Sequence, residues 1–172
     1  LFGVNKFTRD QAIPRETGIL YTTYTTMASG LDVLAGGKLK AKQAKGQEIG
    51  TSVKTRLDQV LNWLGPDFDG VLIFDEAHNM QNSLEQETER GDSRPAAKAL
   101  ASVTLQQKLP KARIVYASAT AASRVDALAY SDRVGLWGEG TAFASKTDFV
   151  NSIASSGLGA MEIVAQNMKA MG

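Results

Sequence analysis

The sequence of 172 residues contains no cysteine and a single histidine. The first absence excludes disulfides and thiolate metal sites, and one histidine leaves no ordinary ligand set for structural zinc. No apolar run approaches the roughly 18 residues needed to cross a bilayer, and the first residues show no signal-peptide pattern. The formal net charge is +1, which points to no particular partner. These absences, with ordinary apolar and charged fractions of 43% and 22%, are typical of one globular domain, and we expect a cytoplasmic location.

A phosphate-binding loop is also missing. That motif requires a glycine, four residues of any type, Gly-Lys and then Ser or Thr, so that backbone amides cradle phosphates and the hydroxyl binds Mg²⁺. The nearest approximation is Gly36-Gly37-Lys38, but Gly30 stands too far from Gly36 and Leu39 occupies the hydroxyl position. The sequence therefore contains no Walker A segment, and nucleotide chemistry would lack its phosphate clamp here.

Two adjacent carboxylates follow an apolar strand. Residues 71–74 read Val-Leu-Ile-Phe, and Asp75 and Glu76 come directly after them. Ligands of open α/β sheets bind at the carboxyl ends of the strands. There, Asp75 could hold Mg²⁺ through water, and Glu76 could position or deprotonate the water that attacks a γ-phosphate. Two solvated acids at a strand end are the alternative, but the apolar run and the following Ala77-His78 favour catalysis by this acid pair.

A second signature, Val115-Tyr116-Ala117-Ser118-Ala119-Thr120, ends the next predicted strand. The hydroxyls of Ser118 and Thr120 could hydrogen-bond the acidic segment, although strand ends and helix N-caps use the same residue types. His78 could bond the γ-phosphate or these hydroxyls and so couple nucleotide state to domain movement; an ordinary polar role is the alternative. Together the two segments resemble motifs II and III of superfamily 2 helicases and translocases.

The remaining pattern alternates strands and helices. It predicts strands at 18–23, 71–74 and 112–117, and the strand at 71–74 should be covered on both faces. Loops are predicted at 36–56 and 81–93. Helices are predicted at 53–64, between Pro95 and Pro110, and at 123–130, 146–155 and 159–170. Strands that alternate with helices imply βαβ crossovers and a parallel sheet. We therefore expect an α/β fold with a core at about 15–122 and a mainly helical extension at about 123–172.

Two groups of residues are candidates for contact with nucleic acid. The lysine-rich loop carries Lys38, Lys40, Lys42 and Lys45, which could touch phosphates. A solvated basic loop is the frequent alternative. Early in the domain, the threonines of Thr22-Thr23 follow a predicted strand and could contact a DNA backbone, for which edge-strand propensity is the rival explanation.

Several longer stretches are similar to the strawberry notch family. Residues 52–57 lead to Asp-Phe-Asp-Gly at 67–70 and the acid pair, and residues 105–113 lead to the Ser-Ala-Thr strand. The most specific stretches are Arg-Val-Gly-Leu-Trp-Gly-Glu-Gly-Thr at 133–141 and Gly-Leu-Gly-Ala-Met-Glu-Ile-Val-Ala at 157–165. No general helicase motif explains those two. The resemblance covers most of the chain, from residue 15 onwards, and Ala121 departs from the glycine expected in this family.

The resemblance implies most of the first RecA-like lobe of an ATP-dependent motor, a three-layer fold of the P-loop NTPase type. It assigns Asp75 and Glu76 to Mg²⁺ and water, and Ser118 and Thr120 to the coupling motif. The phosphate loop would lie upstream of this chain, and a second lobe with an arginine finger would lie downstream. ATP and Mg²⁺ would be the cofactors of the longer protein and nucleic acid, especially DNA, its partner. We expect a bacterial or phage origin.

Other functions stay open at this point. A motor lobe kept as a non-catalytic scaffold would retain the fold without hydrolysis, although the retained acid pair and Ser-Ala-Thr argue against degeneration. A metal-dependent hydrolase built on the acid pair would need further ligands. If the motor interpretation holds, the chain alone should be nearly inactive, because phosphoryl transfer depends on the charge stabilisation that a phosphate-loop lysine and an arginine finger supply.

Overall fold

The computed structural model describes residues 1–34, 38–42, 55–83, 86–88, 91–93, 95–118 and 125–171. Its strands are β1 (Phe2–Gly3), β2 (Leu20–Tyr21), β3 (Leu31–Val33), β4 (Leu39–Ala41), β5 (Val71–Phe74), β6 (Gln86–Thr88), β7 (Gly91–Ser93) and β8 (Arg113–Tyr116). Its α-helices are α1 (Tyr24–Met27), α2 (Arg56–Leu64), α3 (Ala97–Lys108), α4 (Lys146–Ser156) and α5 (Leu158–Met171), with 3₁₀ turns at Val4–Lys6, Ala77–Met80 and Val125–Leu128. None of the described helices is long and apolar enough to cross a membrane.

The centre of the fold is the pair of strands β5 and β8, which run parallel and are connected through α3. Phe74 lies opposite Tyr116 at the carboxyl ends of these strands, and the two rings stack with centroids 5.9 Å apart. Helix α3 buries Val103 and Leu105 in the same core. The α/β class and the parallel strand–helix–strand unit are thus confirmed. Both strands end at the same edge, where the acid pair and Ser118 follow.

One face of this strand pair is open among the described residues, so the expectation that both faces of 71–74 are covered is wrong here. Side chains alternate across a strand, and Leu72 and Phe74 pack in the core while Val71 and Ile73 are 51% and 68% exposed. Val115, opposite Ile73 in register, is 46% exposed. The continuous apolar run is typical of a strand between two layers, but the described elements supply one layer only.

Helix α2 is confirmed, and its ends have local causes. Thr55 Oγ1 accepts a hydrogen bond from the Asp58 amide, and the Asp58 carboxylate accepts one from the Thr55 amide, both at 3.1 Å; this is a capping box. Gly65 follows the last turn with φ of 77°, which glycine adopts without strain because it has no Cβ. Leu57 and Val60 are buried as their spacing predicts. Residues 53 and 54 of the predicted helix lie outside the described ones.

The predicted strand at 18–23 is shorter and pairs differently. Only Leu20–Tyr21 is paired as a strand, and it runs parallel to Phe2–Gly3 rather than joining β5. The strand ends there because Thr23 already serves as the N-cap of α1, accepting a hydrogen bond from the Thr26 amide at 3.1 Å. The described strands therefore form separate two-stranded sheets instead of one continuous parallel sheet.

Both predicted loops contain strands. Within 36–56, β4 pairs antiparallel with β3, because half-buried Leu39 and Ala41 alternate with exposed lysines. Within 81–93, β6 pairs antiparallel with β7. The loop prediction was wrong at these positions: glycines and charged residues around each run concealed a short alternation that pairing within a hairpin is enough to stabilise.

The C-terminal residues form a second core. Helices α4 and α5 are confirmed, and they pack around buried Val125, Phe149 and Ile153. The helix predicted at 123–130 is present in the described residues only as the 3₁₀ turn Val125–Leu128. Tyr130 belongs to the main core, which begins at Phe2, whereas Val125 belongs to the second core.

Candidate functional site

The acid pair sits in a sharp backbone turn directly after β5. Glu76 has φ of 49° and ψ of 51°, the left-handed conformation that is uncommon for a residue with a side chain. Its amide donates a hydrogen bond to Asp75 Oδ1 at 3.0 Å. Both acids are exposed to solvent. The turn thus places two exposed acids directly after the carboxyl end of β5.

Tyr24 holds the same turn from a distant part of the chain. Its hydroxyl donates a hydrogen bond to the backbone carbonyl oxygen of Asp75 at 2.7 Å. Burial of the phenol raises the pKa of Tyr24 to about 12, and the nearby negative charge of Asp75 adds to the effect. The hydroxyl is therefore a protonated donor at neutral pH. Sequence reasoning assigned no role to Tyr24, because no local pattern reveals a contact between residues 51 positions apart.

His78 connects the acid pair to the second signature. Its Nδ1 atom lies 3.2 Å from Glu76 Oε2 and 3.2 Å from Ser118 Oγ. Which of these contacts is a hydrogen bond from the ring depends on the tautomer. One ring nitrogen thus stands between a carboxylate that follows β5 and a hydroxyl that follows β8. Thr120, the other predicted coupling residue, lies outside the described residues.

Backbone hydrogen bonds fix these two segments relative to each other. The Ala117 amide donates to the carbonyl of Phe74 at 3.0 Å, and the Ala77 amide donates to the carbonyl of Ala117 at 2.8 Å. The pairing of the two strands therefore continues past their last residues. As a result, the spacing between the acid pair and Ser118 is set by the main chain rather than by side-chain contacts alone.

The site offers few metal ligands. Among the described residues, no group of three or more His, Asp or Glu side chains could hold a metal ion. An exposed Asp75 carboxylate fits Mg²⁺, which uses one or two carboxylates and fills its other positions with waters and substrate phosphates. It does not fit the closed ligand set of a structural metal. This donor set also disfavours the hydrolase alternative, which needs a metal held by the protein alone.

The predicted nucleic-acid contacts fall on two elements. Thr23 is engaged in the cap of α1 and also donates to Thr26 Oγ1 at 2.9 Å, and Thr22 Oγ1 is 3.4 Å from the carbonyl oxygen of Thr23. The described lysines share the exposed side of the β3–β4 hairpin: Lys38, Lys40 and Lys42. Among them, Lys42 forms an exposed ion pair with Asp32, with Nζ 3.4 Å from Oδ1. Lys45 lies outside the described residues.

Comparison with known proteins identifies the family. Residues 3–172 match the family described as P-loop containing NTP hydrolase pore-1. Over 155 residues the chain is 44% identical to strawberry notch homolog 1 of Gallus gallus and of Homo sapiens, and 41% identical to strawberry notch of Drosophila melanogaster. Each alignment covers 90% of this chain but only 11%, 10% and 8% of those proteins. The chain spans about a tenth of their length.

No solved structure gives a significant match. The relatives come from animals and a plant, which does not fit the expected bacterial or phage origin. The family match agrees with the parallel strand–helix–strand unit of the fold. The chain therefore belongs to the strawberry notch family of helicase-like NTPase proteins, and its α/β fold is that of an incomplete RecA-like lobe of the P-loop NTPase type.

Proposed function

We propose that this chain forms part of the first lobe of an ATP-dependent motor that acts on nucleic acid as a helicase or translocase. Asp75-Glu76-Ala77-His78 is its motif II and Ser118-Ala119-Thr120 its motif III. The observation that carries the proposal is the position of His78, whose Nδ1 atom is 3.2 Å from both Glu76 and Ser118. Two solvated acids at a strand end would not require a histidine that contacts both an acid and a hydroxyl of the neighbouring strand.

The two acids have separate tasks in this proposal. Asp75 holds Mg²⁺, mainly through water, and Glu76 orients or deprotonates the attacking water. Mg²⁺ bound with ATP supplies neutralisation of the charge on the phosphates during phosphoryl transfer. The left-handed turn at Glu76 supports this division, because it breaks the regular strand geometry between the two acids.

His78 is the coupling residue. A single Nδ1 proton can serve Glu76 or Ser118 fully, but not both at once. A change in the hydrogen bonding of Glu76 during hydrolysis thereby changes the hydrogen bonding of Ser118. Through Ser118 and Thr120, the change reaches the segment that follows β8. The described part of this route, from Glu76 through His78 to Ser118, lies at one edge of the strand pair, which suits a signal from nucleotide to a second lobe of the same protein.

Nucleic acid contacts the basic side of the β3–β4 hairpin through Lys38, Lys40 and Lys42, and it also contacts Lys45, which follows in the sequence. The specific proposal is DNA. The support is the exposure of the described lysines on one side of a folded element rather than in an irregular loop. Thr22 and Thr23 are proposed to line the same path, although the cap that Thr23 provides to α1 gives that residue a structural role as well.

Calorimetric titration with Mg²⁺-ATP tests the motor proposal. The titration compares this chain with a version extended upstream to include a phosphate loop. We expect binding only by the extended version, and hydrolysis only when the second lobe is also present, because an arginine finger can contribute about 10³–10⁵ in rate. In the two-lobe protein, Glu76→Gln should leave binding unchanged and abolish turnover.

Two outcomes would contradict this proposal. Strong Mg²⁺-dependent hydrolysis by the 172-residue chain would show that the acid pair works without a phosphate clamp. Absence of ATP binding by every version would leave the scaffold function, in which the lobe binds nucleic acid or protein without catalysis. Lys111→Ala serves as a matched control, since the exposed pair of Lys111 with Asp67 has no part in the site and should not alter binding.

A further inference from the structure

The peptide group between Asp75 and Glu76 is hydrogen-bonded through both its carbonyl and its amide. The peptide that joins Asp75 to Glu76 carries the carbonyl of the first residue and the amide of the second. Its carbonyl accepts the Tyr24 hydroxyl at 2.7 Å, and its amide donates to Asp75 Oδ1 at 3.0 Å. A peptide group is planar, so these two bonds together define the orientation of its plane. The orientation in turn constrains ψ of Asp75 and φ of Glu76, and so the backbone positions from which both side chains leave.

This turn needs an external restraint. A non-glycine residue in the left-handed region is held there by its surroundings, at a cost of order 1 kcal/mol or more, and Glu76 is such a residue. The next peptide is held by the bond from the Ala77 amide to Ala117. Among the described residues, Tyr24 supplies the one long-range hydrogen bond to the Asp75–Glu76 peptide.

We propose that Tyr24 is a positioning residue for the acid pair: its hydroxyl fixes the Asp75–Glu76 peptide and with it the backbone positions from which the two carboxylates project. The inference rests on the proposed ATPase function, since a fixed position matters only if the acids act on Mg²⁺ and water. Misplacement of a catalytic group by about 1 Å can cost on the order of 100-fold in rate.

The ring of Tyr24 is partly buried and packs against the main core. The same core contains Phe74, the residue before Asp75, and Phe74 stacks on Tyr116 with ring centroids 5.9 Å apart. The hydroxyl of Tyr24 is therefore attached to a ring that the core packing holds. Replacement by phenylalanine would keep the ring contacts and remove only the hydroxyl.

Steady-state hydrolysis by the two-lobe protein tests the catalytic part. Tyr24→Phe should lower kcat about threefold to tenfold, the effect of losing one hydrogen bond, and leave the KM for ATP within about twofold. The matched control is Tyr21→Phe, because the side chain of Tyr21 is 55% exposed and three positions away. An unchanged kcat in Tyr24→Phe would overturn the proposal.

Amide hydrogen exchange in the 172-residue chain tests the geometry without catalysis. Exchange at Glu76 should be at least about fivefold faster in Tyr24→Phe, since local opening no longer breaks the tyrosine bond, while exchange in α2 stays the same. Equal rates at Glu76 would overturn the proposal. If the two-lobe protein hydrolyses no ATP, or Glu76→Gln retains activity, the proposed function fails. The exchange result then still decides whether Tyr24 fixes the peptide.

Discussion

Gln106 is a fully buried polar residue on α3, and its replacement gives a sharp test of the packing behind the site. Its side chain is 0% exposed. The Oε1 atom accepts a short hydrogen bond from the Tyr116 hydroxyl, and Nε2 donates to the carbonyls of Ser102 and Tyr130, each at 3.3 Å. One amide thus joins α3, the end of β8 and the residue at which the main core ends.

The cost of Gln106→Leu follows from the groups it leaves without partners. The carbonyl of Ser102 lies within the helix, so the two groups that lose a partner are the Tyr116 hydroxyl and the Tyr130 carbonyl. Each unsatisfied buried group costs about 1–3 kcal/mol, which gives about 2–6 kcal/mol. The leucine buries roughly two more apolar carbon groups than glutamine, worth about 1.6 kcal/mol. We expect a net loss of about 0.4–4.4 kcal/mol in the free energy of unfolding.

A double-mutant cycle separates this reasoning from a general packing defect. Tyr116→Phe alone leaves Gln106 Oε1 without its donor and should cost about 1–3 kcal/mol. In the double variant neither partner is left unsatisfied, so it should be no less stable than the worse single variant, with a coupling energy of about 1–3 kcal/mol. Urea unfolding followed by circular dichroism measures all four proteins. A coupling energy below about 0.5 kcal/mol would refute the argument.

Two further outcomes test the local structure. Thr55→Ala removes a buried cap and should lower the free energy of unfolding by about 1–2 kcal/mol in urea, whereas Thr55→Ser, which keeps the hydroxyl, should recover most of it; equal losses would rule out the cap as the cause. Burial raises the pKa of Tyr24 to about 12 and also raises the pKa of Tyr116 and Tyr130. Their contribution to stability is therefore fully present below about pH 10, the unfolded value, and is lost as pH rises towards 12. The urea midpoint should fall across that window, and less steeply in Tyr116→Phe; an equal slope would contradict this origin.

Short-range patterns predicted the parts of the site that lie on one strand end. The apolar run at 71–74, the two acids after it and the helix from Arg56 to Leu64 all follow from signals within a few residues. The capping box at Thr55 and the glycine at residue 65 are such signals too. Where the determinants of structure are local, the sequence and the structure agree to within a few residues.

The remaining features depend on contacts between distant residues. The predicted strand at 18–23 reads as a good strand, yet Thr23 leaves it to cap α1. The bond from Tyr24 to Asp75 has no counterpart in any local pattern. The strands β4 and β6 are three residues each, too short for composition to mark them among glycines and charges. Contacts between distant residues decide all of these features, so periodicity alone could not predict them.

The open face of β5 and β8 helps to separate what shapes the site from what covers it. Ile73 and Val115 are apolar yet exposed, so their burial plays no part in forming the turn at Glu76. The described contacts that fix the acid pair come from the buried face or from the strand ends: the Tyr24 hydroxyl, the stack of Phe74 on Tyr116, the contact of His78 with Glu76, and the amides of residues 77, 79 and 117. None of these contacts involves Ile73 or Val115. A layer over those two residues is therefore not needed to hold the turn at Glu76.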